Sequence, residues 1–233
     1  MIGCTKYFHQ IAMKKVLIIG NSEPAANYAH LLEEAEVVVR FNNKRYKITP
    51  DNIKTTCLSM VNTGVVGHTL LKDIQSNIFY SEARTILFAR SQKIHQNHLL
   101  QNPLKDQYPK EEAMDVSQWY EKEIIRDGKE VTRLSDELNQ SCFRLIQSRT
   151  RQPFICPSSG FLVVWSFLND ARYTEYEKHV VGFSFKGWWG HSWETEKEIM
   201  LELHRNNQLT LHHCTLMDKV IYKTRRLGQK IIR

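Results

Sequence analysis

The sequence has no long apolar run, no Cys-x-x-Cys pair and no two aspartates spaced as Asp-x-Asp. Its longest strongly apolar stretch, Phe161 to Leu168, is far shorter than the roughly 20 residues that cross a bilayer as a helix. Five scattered cysteines without such pairs exclude a zinc ribbon and are expected to be reduced thiols of a cytoplasmic protein. Residues 1–12 lack the apolar centre of a secretory signal, so no such signal is predicted.

The overall amino-acid composition is typical of a globular chain with one domain. The 233 residues are 42% hydrophobic and 24% charged, which allows a sizeable core and excludes disorder and low-complexity fibres. The formal net charge is +7, and residues 219–233 carry six basic side chains and no acidic one. Such a tail is either solvated or in contact with an anionic membrane surface. We therefore expect a cytoplasmic protein that can associate peripherally with the inner face of the membrane.

Alternating strand and helix patterns predict an α/β fold with a doubly wound, mostly parallel sheet. The run from Lys14 to Gly20 is expected to be a buried strand, followed by a helix over 24–36 and a second strand over 36–41. A polar excursion with short helices is expected over 91–133. Further strands are predicted at 55–61, 85–89, 178–185 and 209–212, and further helices at 135–148, 161–170 and 192–205.

Residues that follow the predicted strands form the candidate site, because ligands of open parallel sheets bind outside the carboxyl ends of the strands. These positions are rich in asparagine, serine and glycine and poor in carboxylates. An asparagine amide suits sugar hydroxyls, a base edge or phosphate oxygens, although single asparagines also cap turns routinely. The candidates of this kind are Asn21, Ser22, Asn42, Asn62, Ser158, Ser159, Gly160 and Gly182.

Two loops in this set can be interpreted either as phosphate-binding loops or as ordinary structural features. Gly20, Asn21 and Ser22 precede a predicted helix, but the G-x-G-x-x-G pattern of dinucleotide loops fails at its second glycine. Ser158 and Ser159 also precede a predicted helix, where hydroxyls and backbone N–H groups can hold a carboxylate or a phosphate. The alternative for the serines is an ordinary helix N-cap.

A candidate proton acceptor follows a pair of tryptophans. His191 comes after Trp188 and Trp189, in a segment bounded by glycines that indicates a mobile flap ending at a helix start. A histidine with an ordinary pKa near 6.5 can accept a proton at neutral pH. Lys186 stands in the same segment and could neutralise an anion. No histidine pair has a third ligand at a recognised spacing, so no metal site is predicted.

Four segments, taken in order, resemble bacterial sialyltransferases, which use CMP-activated sugars. They are similar to the first strand with its loop, the second strand end, the serine-glycine helix start and the catalytic histidine segment of that family. The histidine of the last segment also has the H-x4-E spacing of the animal enzymes, with Glu196 as its partner. The four segments are Met13 to Ser22, Val39 to Asn43, Pro157 to Gly160 and Gly190 to Ser192. Asn62 and the strand end Val181 to Phe183 also match positions of that family.

The resemblance implies both a fold and a reaction. The fold would be a Rossmann-like doubly wound sheet, a variant of the GT-A glycosyltransferase fold, with a short lid. The reaction would be inverting transfer of sialic acid, a 2-keto sugar acid, from its CMP ester to a glycan hydroxyl in surface glycan or lipooligosaccharide synthesis. The close alternative is a CMP-Kdo-dependent transferase of the lipopolysaccharide core. The family needs no metal for the chemistry, which agrees with the missing Asp-x-Asp pair, and no cofactor is expected.

The resemblance also implies roles for the candidate residues. His191 would be the general base, and the three strand-end asparagines would contact the CMP-sugar. Ser158 and Ser159 would hold its carboxylate or phosphate, and Gly182 would let the backbone approach the cytidine. Lys186, with the neighbouring tryptophans, stands where the family has phosphate-facing tyrosines, in a lid shortened to about 184–190.

One nucleotide-sugar-binding domain is thus expected over 13–218, with an extension over 1–12 and a basic tail over 219–233. Its expected partners are a CMP-sialic acid or CMP-Kdo donor, a glycan or lipooligosaccharide acceptor and an anionic membrane surface, with no specific nucleic acid. Two other classes of protein are the alternatives to a glycosyltransferase. A nucleotide-binding oxidoreductase is disfavoured by the broken glycine pattern and the absent ribose carboxylate. A non-catalytic nucleotide- or RNA-binding module would interleave basic and aromatic residues on a sheet face. In this sequence the basic excess lies in the tail instead, and the tryptophans cluster in one loop.

Overall fold

In this computed structural model the chain is described over residues 13–22, 28–43 and 53–212. Strands and helices alternate along these ranges, as the sequence pattern predicts. The predicted extension over 1–12, the predicted start of the first helix at Pro24 and the basic tail over 219–233 lie outside the described residues.

Within the described ranges, seven strands form one sheet and seven α-helices connect or cover them. The strands are β1 (Lys15–Ile19), β2 (Val37–Phe41), β3 (Cys57–Met60), β4 (Thr85–Phe88), β5 (Glu130–Arg133), β6 (Glu177–Val181) and β7 (Thr210–Leu211). The helices are α1 (Ala29–Glu34), α2 (Gly64–Lys72), α3 (Gln92–Leu100), α4 (Glu121–Arg126), α5 (Asp136–Gln147), α6 (Ser159–Asn169) and α7 (Trp193–Arg205).

The sheet is open, and its strand order is β5-β4-β3-β2-β1-β6-β7. Every pairing between neighbouring strands is parallel. Both faces are covered by helices, which explains why β1 reads as a continuous apolar run. Val16 and Ile18 pack on the face that carries α5 and α6, and Leu17 and Ile19 pack on the face that carries α1. The predicted doubly wound α/β fold is confirmed.

The chain reverses its direction across the sheet at β1, which lies between β2 and β6. In open α/β sheets such a switch point opens the crevice in which ligands bind. Here the loops after β1 and β6 touch: the Gly20 nitrogen donates to the Val181 oxygen at 2.8 Å, and the Ser22 nitrogen donates to the Gly182 oxygen at 3.0 Å. A Cβ on Gly20 would lie 2.3 Å from the Gly182 oxygen, so glycine is required for this approach.

Two elements differ from the sequence-based expectation. The sequence pattern did not predict α2, which begins at Gly64 with a φ of +67° and contains a second glycine and two valines, all weak helix formers. It did not predict β5 either, because this edge strand is mostly exposed and its residues lack an apolar pattern. Pairing with β4 defines the strand. The other predicted elements are present, with ends shifted by a few residues.

The sequence also led to expectations about the cysteine thiols and about membrane-spanning segments. Cys57, Cys142 and Cys156 are buried and unpaired by disulfide bonds. Among the helices that the structure describes, none is long and apolar enough to cross a membrane.

Candidate functional site

A cavity of about 870 Å³ opens over the carboxyl ends of β1 to β4 and β6. It therefore lies at the switch point of the sheet, where the strand-end rule places a ligand. Every residue that the sequence nominated lines it, with the exception of Asn62. The nominated lining residues are Asn21, Ser22, Asn42, Ser158, Ser159, Gly160, Gly182, Lys186, Trp188, Trp189 and His191.

Asn62 lies behind the cavity wall and is fully buried. Its side-chain amide donates to the Arg90 carbonyl at 2.9 Å, and its side-chain oxygen accepts from the Arg90 nitrogen at 3.2 Å. The amide thus fixes the backbone of Arg90. In this position Asn62 supports the wall and does not present its side chain to a ligand, unlike the direct contact implied by the resemblance.

Asn42 closes β2 and also reaches the cavity. Its φ of +47° lies in the left-handed region, which asparagine tolerates better than most residues. Its side-chain oxygen accepts from the Val61 nitrogen at 2.8 Å, and its carbonyl accepts from the Asn77 amide at 2.8 Å. Asn42 therefore shapes the loops around the cavity as well as lining it.

The start of α6 is held by a buried carboxyl group. The Ser158 hydroxyl caps the helix by accepting from the Phe161 nitrogen at 3.1 Å, and it donates to Glu196 Oε2 at 2.6 Å. The Ser158 nitrogen donates to Glu196 Oε1 at 2.8 Å. Burial raises the pKa of Glu196 to about 7, while these hydrogen bonds act in the opposite direction.

Because Ser158 is occupied by Glu196, the first residues of α6 are the groups that remain for a ligand. Ser159 and Gly160 line the cavity at the positive end of this helix. A Cβ on Gly160 would lie 2.7 Å from Cε1 of Phe183, so the aromatic ring can rest there only against glycine. The helix start can therefore present N–H groups and one hydroxyl to an anion.

His191 is held between two tryptophans at the end of the lid. Its ring centroid is 4.8 Å from that of Trp188 and 4.9 Å from that of Trp193, with both pairs edge-on. Its Nδ1 is 2.8 Å from the Cys156 carbonyl, so Nδ1 carries the proton and Nε2 is the free acceptor nitrogen of the neutral ring.

The pKa of His191 differs from the ordinary value near 6.5. Burial lowers it to about 3, and the positive charge of Arg90 acts in the same direction, against the hydrogen bond to Cys156. The imidazole is therefore neutral throughout the physiological range. A neutral ring can accept a proton, but its low pKa makes it a weak base in the empty site.

The lid over 184–190 is anchored at its far end. The Gly190 carbonyl accepts from the Ile155 nitrogen at 2.7 Å, and the Trp193 indole donates to the Trp188 carbonyl at 2.9 Å. Trp188 also packs against Tyr108, with ring centroids 5.5 Å apart. These contacts fix 188–190, so the flap expected from the glycines reduces to 184–187, where Lys186 is exposed.

Arg90 and Tyr108 line the cavity without having been nominated by the sequence, and Thr63, which follows β3, lines it as well. Arg90 follows β4 by two residues, so the strand-end rule could have identified it had it been applied to this strand. Its Nη1 donates to the Thr63 hydroxyl at 3.1 Å. Tyr108 belongs to the polar excursion, where no periodic signal marks it.

The cavity combines hydroxyls, amides, a helix start, two cations and a neutral histidine. Such groups can bind a hydroxyl-rich anion and accept one proton from it or from a second substrate. Over the described residues, no group of three or more His, Cys, Asp or Glu side chains is arranged to hold a metal ion.

Comparisons with known proteins define the class of fold. No protein-family model matches the sequence, and no curated protein matches it. Among solved structures, the sialyltransferase CstII from Campylobacter jejuni with the substrate analogue CMP-3FNeuAc is 18% identical, with a TM-score of 0.51 over 86% of this chain and 80% of that one. A CstII variant with CMP is also 18% identical, with a TM-score of 0.51 over 86% and 81%.

A mammalian sialyltransferase is 14% identical, with a TM-score of 0.48 over 85% of this chain and 69% of that chain. The CstII structures establish that this chain has the sialyltransferase fold, as the resemblance in the sequence implied. At 18% identity the likeness defines the fold, and the activity has to be argued from the site.

Proposed function

We propose that this protein is a glycosyltransferase that moves sialic acid from its CMP ester to a hydroxyl group of a glycan, with inversion at the anomeric carbon. The observation that carries the proposal is the placement of three features in one cavity at the switch point. These are the close glycine loops after β1 and β6, the start of α6, and a neutral histidine whose Nε2 is free to accept. The CstII structures, which contain CMP and a CMP-sugar analogue, support the choice of donor.

The donor is proposed to lie along the carboxyl edge of the sheet. The cytidine would occupy the crevice between Gly20 and Gly182, where the absence of side chains allows close contact with the backbone. The phosphate or the sugar carboxylate would meet the start of α6 at Ser159 and Gly160. Asn21 and Asn42 would contact the ribose or the sugar hydroxyls from the loops after β1 and β2.

His191 is proposed to act as the general base. The acceptor hydroxyl gives its proton to Nε2 as its oxygen attacks the anomeric carbon of the donor. The bond from that carbon to the phosphate oxygen breaks, and CMP leaves with the electron pair. Attack from the face opposite the leaving group gives inversion. The N–H groups of α6 and the Lys186 ammonium would stabilise the charge that develops on the phosphate.

A ligand-binding screen tests the proposal without knowledge of the acceptor. Calorimetry and thermal unfolding are run with CMP, CMP-sialic acid, CMP-Kdo, a UDP-sugar and NAD, with a chelator present to remove divalent metal. We expect CMP and CMP-sialic acid to bind, with a stabilisation of about 2.7 kcal/mol at one hundred times Kd. A clear preference for CMP-Kdo over CMP-sialic acid would assign Kdo, and not sialic acid, as the donor sugar. Binding of NAD or the UDP-sugar without any cytidine compound would refute the proposal.

A further inference from the structure

Arg90 is a partly buried cation at the cavity, which Lys186 and Glu112 also line. It follows β4, and Asn62 holds its backbone from both sides. Its Nη1 donates to the Thr63 hydroxyl, while its buried Nε has no hydrogen-bond partner among the described residues. No ion pair joins Arg90 to a carboxylate in the described part of the chain. Because a partly buried cation with a buried, unbonded N–H group is usually paired, this arrangement points to an anion-binding site.

The histidines beside Arg90, His95 and His191, are neutral, because burial lowers the pKa of each to about 3. Burial raises the pKa of Cys156 and of Glu196 and lowers that of His191, and the charge of Arg90 acts downward on all three. His95 lies nearby, is 1% exposed, and has two ring nitrogens without a partner among the described residues. Its ring centroid is 5.8 Å from that of Tyr108, which lines the cavity.

We propose that Arg90 is the cation of a second anion subsite, which binds the carboxylate of an acidic sugar. With Nη1 bonded to Thr63, the guanidinium keeps further N–H donors, and a planar carboxylate is the acceptor that best matches this planar group. The inference rests on the proposed function and adds a specificity-determining residue to it.

The position of Arg90 separates it from the nucleotide. β4 is three strands away from β1, which corresponds to roughly 14 Å at the usual strand spacing. A cytidine over Gly20 and Gly182 therefore places the sugar end of the donor, or the acceptor, toward Arg90. The carboxylate can come from the donor sugar or from an acidic glycan acceptor, and both present the same chemistry to the guanidinium.

The test compares three variants of the full-length protein. Arg90→Gln removes the charge, and Arg90→Lys keeps the charge but loses the paired hydrogen bonds. Arg84→Gln is the matched control, because Arg84 is exposed and precedes the opposite end of the same strand. Thermal unfolding of each variant checks that it folds. Calorimetry is performed with CMP, CMP-3FNeuAc, free N-acetylneuraminate and, on the CMP-loaded protein, sialyllactose.

If the carboxylate belongs to the donor, Arg90→Gln weakens CMP-3FNeuAc binding about 10- to 100-fold and leaves CMP binding unchanged. If it belongs to the acceptor, CMP-3FNeuAc binding is unchanged and sialyllactose binding to the CMP-loaded protein falls by a similar factor. Arg90→Lys gives a smaller loss in the same probe, and Arg84→Gln gives none. Unchanged binding of all probes, or equal losses for CMP and CMP-3FNeuAc, would overturn the proposal.

Failure of the subsite and failure of the proposed function give different results. If the wild-type protein binds no cytidine compound but binds N-acetylneuraminate through Arg90, the subsite stands and the function falls. If it binds CMP-3FNeuAc and both Arg90 variants bind every probe equally well, the function stands and the subsite falls. Wild-type protein that binds none of the four probes refutes both.

Discussion

His191 is held as a neutral imidazole by burial and by the positive charge of Arg90, and its hydrogen bond to Cys156 orients the ring. If it is the base, His191→Ala should lower kcat by about 10²- to 10⁴-fold, the usual contribution of a positioned base, and should change CMP affinity little. Steady-state kinetics with calorimetry for CMP measures both quantities. His204→Ala is the control, because His204 lies near the other end of α7. Retention of most of kcat in the His191 variant would rule out this role.

The pH dependence of kcat/KM tests the protonation state of the same residue. An ordinary histidine base would make kcat/KM fall below about pH 6.5, which is the expectation from sequence alone. Because burial lowers the pKa of His191 to about 3, we expect no decline from its protonation between pH 7 and pH 5. A limb near pH 6.5 that disappears in the His191 variant would contradict the described environment.

His95 makes a prediction about stability. Burial lowers its pKa to about 3, whereas an unfolded histidine binds its proton near pH 6.5. The contribution to stability is therefore complete above pH 6.5 and is lost as the pH falls from there toward 3. The loss at pH 5 is on the order of 2 kcal/mol.

His95→Leu removes this titration at a similar side-chain volume. Urea unfolding at pH 7 and pH 5 should show that the variant loses less free energy of unfolding than the wild-type protein, by on the order of 2 kcal/mol. If the free energy of unfolding depends on pH equally in both proteins, His95 is solvated or hydrogen-bonded in the folded state.

At the scale of elements, burial decides what the sequence could predict. β1 and β2 were predicted because central parallel strands are apolar throughout, and the strand-end rule then placed Asn21 and Asn42 at the cavity. β5 was missed because an edge strand needs no apolar pattern. The spacing from His191 marks Glu196 in the sequence, but its bonds to Ser158 arise from tertiary packing. Tyr108 also reaches the cavity through tertiary packing, which leaves no local signal, while Arg90 follows β4, where the strand-end rule also applies.

The start of α6 provides a prediction for a helix cap. Ser158→Ala should lower the free energy of unfolding by about 1–3 kcal/mol, because it removes the cap and leaves a buried carboxyl oxygen without its hydroxyl donor. Ser135→Ala is the matched control, since Ser135 caps α5 and the carboxylate that its hydroxyl contacts, Glu137, is exposed and not buried. Urea unfolding measures both, and we expect the larger loss at Ser158. Equal losses would mean that Glu196 adds nothing to the cap.

At the scale of the whole molecule, the net charge of +7 is concentrated in part at residues 219–233. We propose that this tail contacts an anionic membrane surface. Deletion of 225–233 should weaken binding to phosphatidylserine vesicles in a salt-dependent way and should leave turnover on a soluble acceptor intact. Neutral phosphatidylcholine vesicles are the control in a sedimentation assay. Equal vesicle binding by the full-length and truncated proteins would leave the tail as a solvated end.

The central claim, transfer of a sugar acid from its CMP ester, is tested most directly by following CMP-sialic acid in an NMR tube. The purified protein is incubated with the donor and a mixture of glycans in the presence of a chelator, beside the His191→Ala variant. We predict release of CMP together with a sialylated glycan whose anomeric configuration is inverted relative to the donor, and little product with the variant. Unchanged CMP-sialic acid in the presence of folded wild-type protein and its acceptors, or a product of retained configuration, would contradict the account.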